Sequence, residues 1–435
     1  MIKYCSCGVE KRLCKQVCIQ IIRSCKFILR KNLSTRVLAA GLSACVCWGC
    51  AAGAMAAPSR ALYDITPLER PDVEGLTVSP SDKLPKLTAR SAVVMDAATG
   101  TVIYSRDMDA RRYPASTTKI MTLIVALEQG NLEDFVTVSK NAAGLEGSTL
   151  WLEQGDKVPL RELLYGMMMA SGNDATVAVA EHIAGSVPAF VRLMNEKAAA
   201  VGAKDTHFVN PNGLPDENHY TTAHDMALIA SYGYSLPEFE KIVSTKEITF
   251  PWVKDDTHRL RNENQMLWLF EGGNGVKTGY TDAAGRCLVS GAREKGLQLV
   301  AVVLDSVYMW NDSIALLDYG FDNVEPEKIF RKGEIVGSVS VGLFQGELEV
   351  KAARDLSVGR LKDGPKVVYD KKLEVSEKLT APIKEGEKVG RMVLLQDGKP
   401  VGAVDVLAAR SLEAEKQGFF SRLISWCQSL WKGLF

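Results

Sequence analysis

Three short polar strings that follow one another along the chain constrain its fold more than any other feature. They are Ser116-Thr117-Thr118-Lys119, Ser171-Gly172-Asn173 and Lys277-Thr278-Gly279. Each pattern alone is weak, because a second S-x-x-K occurs at Ser429–Lys432 and a second S-x-N at Ser139–Asn141. K-[ST]-G occurs once, and the order and wide spacing of all three argue against coincidence. We therefore expect a fold that brings three distant segments to one cleft.

The first string places a hydroxyl and an amine on one face of a helix. Pro114 and Ser116 predict a helix start, and the apolar pattern runs to Leu127 before Gly130 ends it. Ser116 and Lys119 are three residues apart, so the amine reaches the hydroxyl. Lys119 accepts the hydroxyl proton only if burial or a second cation lowers its pKa. Alone, this string also fits a serine helix cap followed by a solvated lysine.

The second string separates two apolar segments with helical spacing, residues 160–170 and 175–183. A polar turn there would let Ser171 relay a proton, and the Asn173 amide would hydrogen-bond a bound chain. An ordinary capped turn between two helices is the alternative.

The third string is predicted to begin a strand. Lys277 offers a point charge and Thr278 a hydroxyl, while Gly279 lets a substrate backbone come close to the strand. These features suit an extended peptide that ends in a carboxylate and pairs along a sheet edge. Lys277 is also the second cation that would lower the pKa of Lys119. A turn that leads into a strand is the alternative.

Metal chemistry is not expected. The histidines show no zinc-ligand spacing and are interpreted as surface or loop residues, and no G-x-S-x-G string indicates a Ser-His-Asp triad. Eight of the ten cysteines precede residue 56, so no disulfide framework is predicted for the rest of the chain. Cys287, in an apolar run, is predicted to be a buried small hydrophobe.

The apolar pattern predicts an α+β arrangement, a sheet with an inserted helical lobe. Residues 92–96 and 101–104 form a predicted hairpin, a further helix covers 188–200, strands cover 286–293 and 298–304, and a closing helix covers 313–319. A small separate β domain follows at about residues 324–408. Its predicted strands are 335–341, 348–352, 367–369, 391–396 and 400–407.

The N-terminus is predicted to be a secretory signal peptide, residues 1–56. Nine basic residues and one acid precede or accompany an apolar run that ends at Ala54-Met55-Ala56. An uncleaved membrane anchor is the alternative. Residues 57–84 are a predicted linker, and the chain after residue 56 has a net charge of −8, which argues against nucleic-acid binding.

The C-terminal residues 410–435 are predicted to be an amphipathic helix. Apolar residues, with Trp426, Trp431 and three Phe among them, cover one broad face, and Arg422 and Lys432 lie on the other. Such a helix lies in a membrane interface. Docking of the same helix on the β domain is the alternative.

The three strings together resemble those of the D-alanyl-D-alanine carboxypeptidases among low-molecular-weight penicillin-binding proteins. Asn210-Pro211-Asn212-Gly213-Leu214 and Tyr280-Thr281 after the third string add to the likeness. The resemblance implies a β-lactamase-like penicillin-binding domain at 85–322, a C-terminal β domain at 324–408 and an anchoring helix at 410–435. It implies a protein exported across the cytoplasmic membrane and held peripherally at its outer face.

The resemblance also implies a mechanism without a cofactor. Ser116 attacks the carbonyl between two terminal D-Ala residues of a peptidoglycan stem peptide, with Lys119 as the base. The oxyanion lies between the backbone N–H groups of Ser116 and Tyr280. Catalytic Ser171 protonates the leaving D-Ala. The implied substrate-binding residues are Asn173, Lys277, Thr278, Gly279 and Tyr280.

β-Lactams are implied inhibitors that acylate Ser116. One departure from the family stands out: Met309 falls where relatives carry an arginine that recognises the terminal carboxylate. Arg286 or Arg293 are possible substitutes, and Lys277 with Thr278 are another.

Three other functions stay open. A DD-endopeptidase would cut peptidoglycan cross-links with the same residues. A β-lactamase would need a deacylating acid such as Glu217, and it has no use for the β domain and the anchor. A catalytically quiet wall-binding protein would not need all three strings intact.

Overall fold

The structure, a computed structural model, describes residues 84–254, 257–342, 346–362, 364, 367–375, 379–396 and 398–413. The predicted signal peptide, the predicted linker except its last residue, and residues 414–435 of the predicted anchor lie outside these ranges.

A five-stranded antiparallel sheet forms the centre of the first part, in the order β2-β1-β9-β8-β7. The strands are β1 (Ser91–Asp96), β2 (Val102–Arg106), β7 (Gly273–Thr281), β8 (Gly285–Glu294) and β9 (Leu297–Ser306). Strand β9 is buried on both faces, which explains its continuous apolar sequence. Its alternate residues enter two cores, one with Val300 and Val302 and the other with Leu299 and Ala301.

Between residues 107 and 246, the described chain forms six α-helices that share one apolar core with a face of the sheet. They are α1 (Lys119–Gln129), α2 (Leu160–Met169), α3 (Asn173–Ala184), α4 (Val187–Ala200), α5 (Ala223–Gly233) and α6 (Pro237–Val243). The hydroxyls of Ser186 and Thr222 cap α4 and α5 by accepting backbone N–H bonds. This lobe is the helical insertion that the sequence predicts.

Short elements complete the lobe and its connection to β7. Two small antiparallel pairs are β3 (Phe135–Thr137) with β4 (Lys157–Pro159) and β5 (Glu247–Thr249) with β6 (Arg259–Arg261). A one-turn helix, α7 (Met266–Leu269), precedes β7. Helix α8 (Met309–Asn323) packs on the other face of the sheet. It contains the closing helix that the sequence predicts at residues 313–319.

A second β-rich part follows α8. A two-stranded pair is formed by β10 (Val324–Phe330) and β13 (Leu356–Leu361). A five-stranded antiparallel sheet has the order β11-β12-β16-β15-β14. Its strands are β11 (Ile335–Ser340), β12 (Glu347–Ala352), β14 (Asp370–Val375), β15 (Lys388–Gln396) and β16 (Lys399–Ala408). These strands surround their own apolar core, and the predicted fold class is confirmed.

Two strand predictions are wrong in their bounds. Residues 367–369 are not in a strand; β14 begins at Asp370 and is the edge strand of its sheet. Its charged sequence, Asp-Lys-Lys-Leu-Glu-Val, is typical of an edge protected against further pairing. Strand β7 begins at Gly273 rather than at Lys277, so the third string lies inside the strand.

Among the described residues, no single helix is both long and apolar enough to cross a bilayer. Helices α3 and α4 meet those criteria only as a pair, and the pair is bent by 86°.

Asp96 joins the central sheet to the second β part. It is fully buried at the end of β1, and its carboxylate accepts bonds from Ala98 N (2.9 Å), Thr99 Oγ1 (2.8 Å) and Gly359 N (2.9 Å). Gly359 lies on β13. Burial raises the pKa of Asp96, and the three donors oppose that rise. One carboxylate therefore satisfies backbone groups of both parts.

Replacement of Asp96 by Ala is expected to loosen this junction. Three buried donors lose their acceptor, which costs about 2–4 kcal/mol of stability, and the Gly359 amide becomes exchangeable. Urea unfolding and amide hydrogen exchange measure the two effects. Thr99→Val removes one of the three bonds and should cost about 1 kcal/mol. Unchanged protection of the Gly359 amide in Asp96→Ala would contradict the assignment.

Candidate active site

Ser116 lies on a single 3₁₀ turn, Ala115–Thr118, immediately before α1 begins at Lys119. The predicted helix therefore starts three residues later than the sequence indicates. In a 3₁₀ turn, residues i and i+3 lie one above the other. This geometry places Lys119 Nζ 2.9 Å from Ser116 Oγ.

The Lys119 amine is completely buried and surrounded by oxygen atoms. Its Nζ donates to Asn173 Oδ1 (2.8 Å) and to the carbonyl oxygen of Asn212 (2.9 Å). Burial lowers the pKa of Lys119 well below its usual value, and the charge of Lys277 lowers it further. Three neutral oxygen atoms therefore surround Lys119 Nζ, those of Ser116, Asn173 and Asn212.

The turn between α2 and α3 contains Ser171 and Gly172, and Asn173 is the first residue of α3. Ser171 adopts a positive φ of 61°, a conformation that a serine holds only under constraint from its surroundings. Its side chain is 3% exposed and forms no hydrogen bond with another described residue. Besides accepting from Lys119, Asn173 donates through Nδ2 to the carbonyl of Glu146 (2.7 Å).

Strand β7 forms the opposite side of the site. Lys277 is 1% exposed, and its Nζ lies 3.4 Å from Thr278 Oγ1 and 4.0 Å from Glu263 Oε2. Burial lowers the pKa of Lys277, and the Glu263 carboxylate opposes the change. The Tyr280 side chain is exposed.

Gly279 has a use that the sequence analysis does not predict. A Cβ at Gly279 would lie 3.0 Å from Ser116 N and 3.1 Å from the carbonyl oxygen of Pro114. The missing side chain thus lets the 3₁₀ turn of Ser116 contact strand β7 directly. The structure brings the first and third strings together at this point.

Comparisons with known proteins agree with this geometry. The family model of the D-alanyl-D-alanine carboxypeptidases, peptidase S11, matches residues 77–307, and that of the penicillin-binding protein 5 C-terminal domain matches residues 325–414. The chain belongs to the peptidase S11 family. It is a serine-type D-Ala-D-Ala carboxypeptidase related to penicillin-binding protein 5.

Individual relatives resemble nearly the whole described chain. The D-alanyl-D-alanine carboxypeptidase DacF of Bacillus subtilis is 34% identical over 344 residues, 77% of this chain and 88% of DacF. DacA of Escherichia coli is 32% identical over 373 residues, 81% of this chain and 90% of DacA. The crystal structure of penicillin-binding protein 5 from Haemophilus influenzae has a TM-score of 0.54 and 33% identity, covering 76% of this chain and 98% of that one.

Asp174 holds a loop of this carboxypeptidase beside Asn173, a role the sequence analysis does not predict. Its fully buried carboxylate accepts bonds from Leu150 N, Leu152 N and Thr149 Oγ1. Asp174, the residue after the second string, therefore fixes a loop. The carbonyl of Glu146 in that loop accepts the hydrogen bond from the Asn173 amide. With the loop that supplies the Asn212 carbonyl, the site is built from five segments rather than three.

His219 is a second unpredicted component: it is a loop residue, which agrees with its interpretation as a surface or loop residue, but it is buried. It is 1% exposed and accepts a bond from Val209 N at Nδ1 (3.2 Å), so Nε2–H donates to Thr118 Oγ1 (2.8 Å). Thr118 belongs to the 3₁₀ turn of Ser116. A lone histidine in an aperiodic loop carries no sequence signal that distinguishes it from a surface residue.

Gly213 supports the same turn. It has a φ of 87°, and a Cβ there would lie 1.8 Å from the carbonyl oxygen of Ala115. The loop that supplies the Asn212 carbonyl to Lys119 can therefore approach the turn only with glycine at this position.

The structure also places the second S-x-N string and the two candidate arginines, whereas the second S-x-x-K string, Ser429–Lys432, lies outside the described residues. Ser139 and Asn141 bond Glu181 on α3 instead of the site. Arg293 forms two bonds of 2.7 Å with Glu240, so it is not a substitute for the missing family arginine. Arg286 lies over the Tyr280 ring at 5.8 Å.

Cys287 is fully buried on β8, as predicted. Met309, which falls where relatives carry an arginine, is 3% exposed in the apolar core under α8. Within the described ranges, no cluster of three or more His, Cys, Asp or Glu side chains has the arrangement of a metal site.

Acid is expected to destabilise the carboxypeptidase through His219. Burial lowers its pKa from 6.5 to about 4. Because the unfolded chain binds the proton first, stability falls as the pH drops from 6.5 towards 4. Between pH 7 and pH 4.5 this contribution is about 2–3 kcal/mol.

His219→Gln should remove that contribution, so its loss of stability on acidification should be smaller than that of the wild type by the same amount. Urea unfolding at the two pH values measures the difference. His207→Gln, which changes an exposed histidine in the same loop region, is the matched control. Parallel pH curves for wild type and His219→Gln would show that His219 is protonated normally in the fold.

Proposed function

We propose that this carboxypeptidase removes the terminal D-alanine from peptidoglycan stem pentapeptides, with Ser116 as nucleophile and Lys119 as its base. One observation carries the proposal. Lys119 Nζ lies within hydrogen-bond distance of Asn173 Oδ1, the Asn212 carbonyl oxygen and Ser116 Oγ, the last at 2.9 Å. When Lys119 is neutral, its two N–H groups bond Asn173 and Asn212, and its lone pair accepts the Ser116 hydroxyl proton. This pair needs no histidine to activate the serine.

In the acylation step, the Ser116 hydroxyl gives its proton to Lys119 Nζ as Oγ attacks the carbonyl carbon of the penultimate D-Ala. The developing oxyanion lies between the backbone N–H groups of Ser116 and Tyr280. The close approach of Gly279 to Ser116 N supports this placement, because it puts the following amide of β7 beside the nucleophile.

Lys277 and Thr278 bind the terminal carboxylate of the peptide. A buried cation beside a hydroxyl offers a charge-assisted hydrogen bond in a site with little water. One hydrogen of the Asn173 amide is not used by Glu146 and is directed to the peptide backbone. Asn173 thus positions the base and also binds the substrate.

Departure of D-Ala requires a proton on its nitrogen when the C–N bond breaks. The Ser171 hydroxyl, which has no partner among the described residues, passes the proton from the Lys119 ammonium to that nitrogen. A water molecule then attacks the acyl carbon, Lys119 again accepts a proton, and Ser116 is released as the free alcohol. β-Lactams acylate Ser116 by the same first step.

Ser116→Ala is expected to abolish D-Ala release from a pentapeptide that ends in D-Ala-D-Ala, by at least about 10³-fold in kcat/KM. It should also abolish labelling by a fluorescent penicillin. The physical reason is that Lys119 then has no hydroxyl to deprotonate. An enzymatic assay of free D-Ala and gel fluorescence measure the two effects on the purified chain.

Ser139→Ala, in the second S-x-N string, is the control and should keep both activities. D-Ala release that survives in Ser116→Ala would exclude the assigned nucleophile. A wild type that cuts cross-linked dimers and releases no D-Ala from pentapeptides would be an endopeptidase. Rapid loss of the penicillin label would indicate a β-lactamase.

We propose that this chain is exported and held at the outer face of the cytoplasmic membrane. The support is the cationic amphipathic pattern near the C-terminus. In the described residues, Leu412 still pairs with Ile383 of the β part. The attaching segment is therefore assigned to residues 414–435.

A chain that ends at Glu413 is expected to be recovered in the soluble fraction after export, because it lacks the apolar face. It should keep the Ile383–Leu412 pair and full carboxypeptidase activity. Membrane flotation with anionic vesicles compares it with the full-length chain. A chain in which Trp426 and Trp431 are replaced by Ser tests the apolar face alone. Full vesicle binding by the truncated chain would place the attachment elsewhere.

A further inference from the structure

Glu263 is a charged residue at the site that the sequence analysis does not assign. It precedes α7, and its backbone N–H donates to the carbonyl of Met169 (2.9 Å) at the end of α2. This bond fixes it close to the turn of Ser171. Its side chain is 44% exposed, and Oε2 lies 4.0 Å from Lys277 Nζ.

The site contains two buried amines that the proposed mechanism needs in opposite states. Lys119 must be neutral to accept a proton, and Lys277 must be cationic to bind a carboxylate. Both are completely buried, so burial alone does not distinguish them. Two ammonium groups in one site repel each other, which favours a state in which only one of the two lysines carries a positive charge.

The immediate partners of the two amines differ. Lys119 contacts a hydroxyl, an amide oxygen and a carbonyl oxygen, which are all neutral. Lys277 contacts the Thr278 hydroxyl and has the Glu263 carboxylate at 4.0 Å. A negative charge at that distance favours the cation on the nearer amine.

We propose that Glu263 is a positioning residue that fixes the charge asymmetry of the lysine pair, holding the proton on Lys277 and leaving Lys119 as the free amine. This inference rests on the proposed function, in which Lys277 receives the substrate carboxylate. Glu263 acts through Lys277 and does not touch the reacting atoms.

Other charged groups on the elements around the pair are engaged elsewhere. Asp174 faces Lys119 from α3, and its carboxylate receives the loop amides of Leu150 and Leu152. The remaining charged residues of β8, α6 and α1 pair away from Lys277: Arg293 with Glu240, Lys241 with Glu238, Glu294 with Lys295, Glu128 with Lys197, and Arg286 with the Tyr280 ring. Within the described ranges, Glu263 is the one carboxylate paired with Lys277.

The effect of Glu263 on pH dependence has a definite sign. The acid limb of kcat/KM reports loss of the Lys119 proton, and the alkaline limb reports loss of the Lys277 proton. The Glu263 carboxylate raises the pKa of both amines. Its removal therefore moves both limbs to lower pH, and the alkaline limb moves further because Lys277 is nearer.

The test is the pH profile of kcat/KM for D-Ala release and of Ser116 acylation by a penicillin, from pH 5 to pH 11. In Glu263→Gln, the alkaline limb is expected to move down by about 1 pH unit and the acid limb by less. Glu263→Asp keeps the charge at a greater distance and should lie between this variant and the wild type. Glu247→Gln is the matched control, because its carboxylate is similarly exposed at 40% and pairs with Arg259 and Arg261.

Stationary limbs in Glu263→Gln, or an equal shift in Glu247→Gln, would overturn the inference. A fold defect in Glu263→Gln would lower kcat/KM at every pH without moving the two limbs of the profile. In that case the pH profile of Glu263→Asp decides, and stationary limbs there would also overturn the inference. Failure of the proposed function looks different, since the wild type would release no D-Ala. Penicillin acylation would then still report the two limbs.

Discussion

The wholly buried amine of Lys119 is the constraint on which the rest of the site depends. A buried ammonium without a carboxylate partner is costly, whereas a buried neutral amine is stable if each N–H finds an acceptor. Asn173 and the Asn212 carbonyl supply those acceptors. Two loops, one helix start and one 3₁₀ turn must therefore hold their places for Lys119 Nζ to stay 2.9 Å from Ser116 Oγ.

Much of the surrounding structure serves this arrangement. Asp174 holds the loop that positions the Asn173 amide, and His219 holds the turn from the opposite side. The backbone is constrained as well, with positive φ angles at Ala115 and Ser171. Such conformations persist only where neighbouring contacts over-determine them. The polar network thus contributes geometry to the site more than it contributes net stability.

The sequence predicts the parts of this protein that have a local signature. The polar strings, the hairpin of β1 and β2, and the apolar spacing of α2 and α3 are all readable because each is a short pattern with a known physical cause. His219 and Glu263 are not readable in this way, since their environments come from segments far apart in the chain. Strand β14 is missed for another reason: the charges that protect a sheet edge also remove the apolar alternation that identifies a strand.

The two glycines beside Ser116 restrict which residues can occupy their positions. Gly213 and Gly279 face the backbone of the same short turn from different segments. A Cβ at Gly213 would lie 1.8 Å from the carbonyl oxygen of Ala115, and a Cβ at Gly279 would lie 3.0 Å from Ser116 N, which is tighter than an ordinary contact. A side chain at either position therefore requires the turn that carries Ser116 to shift.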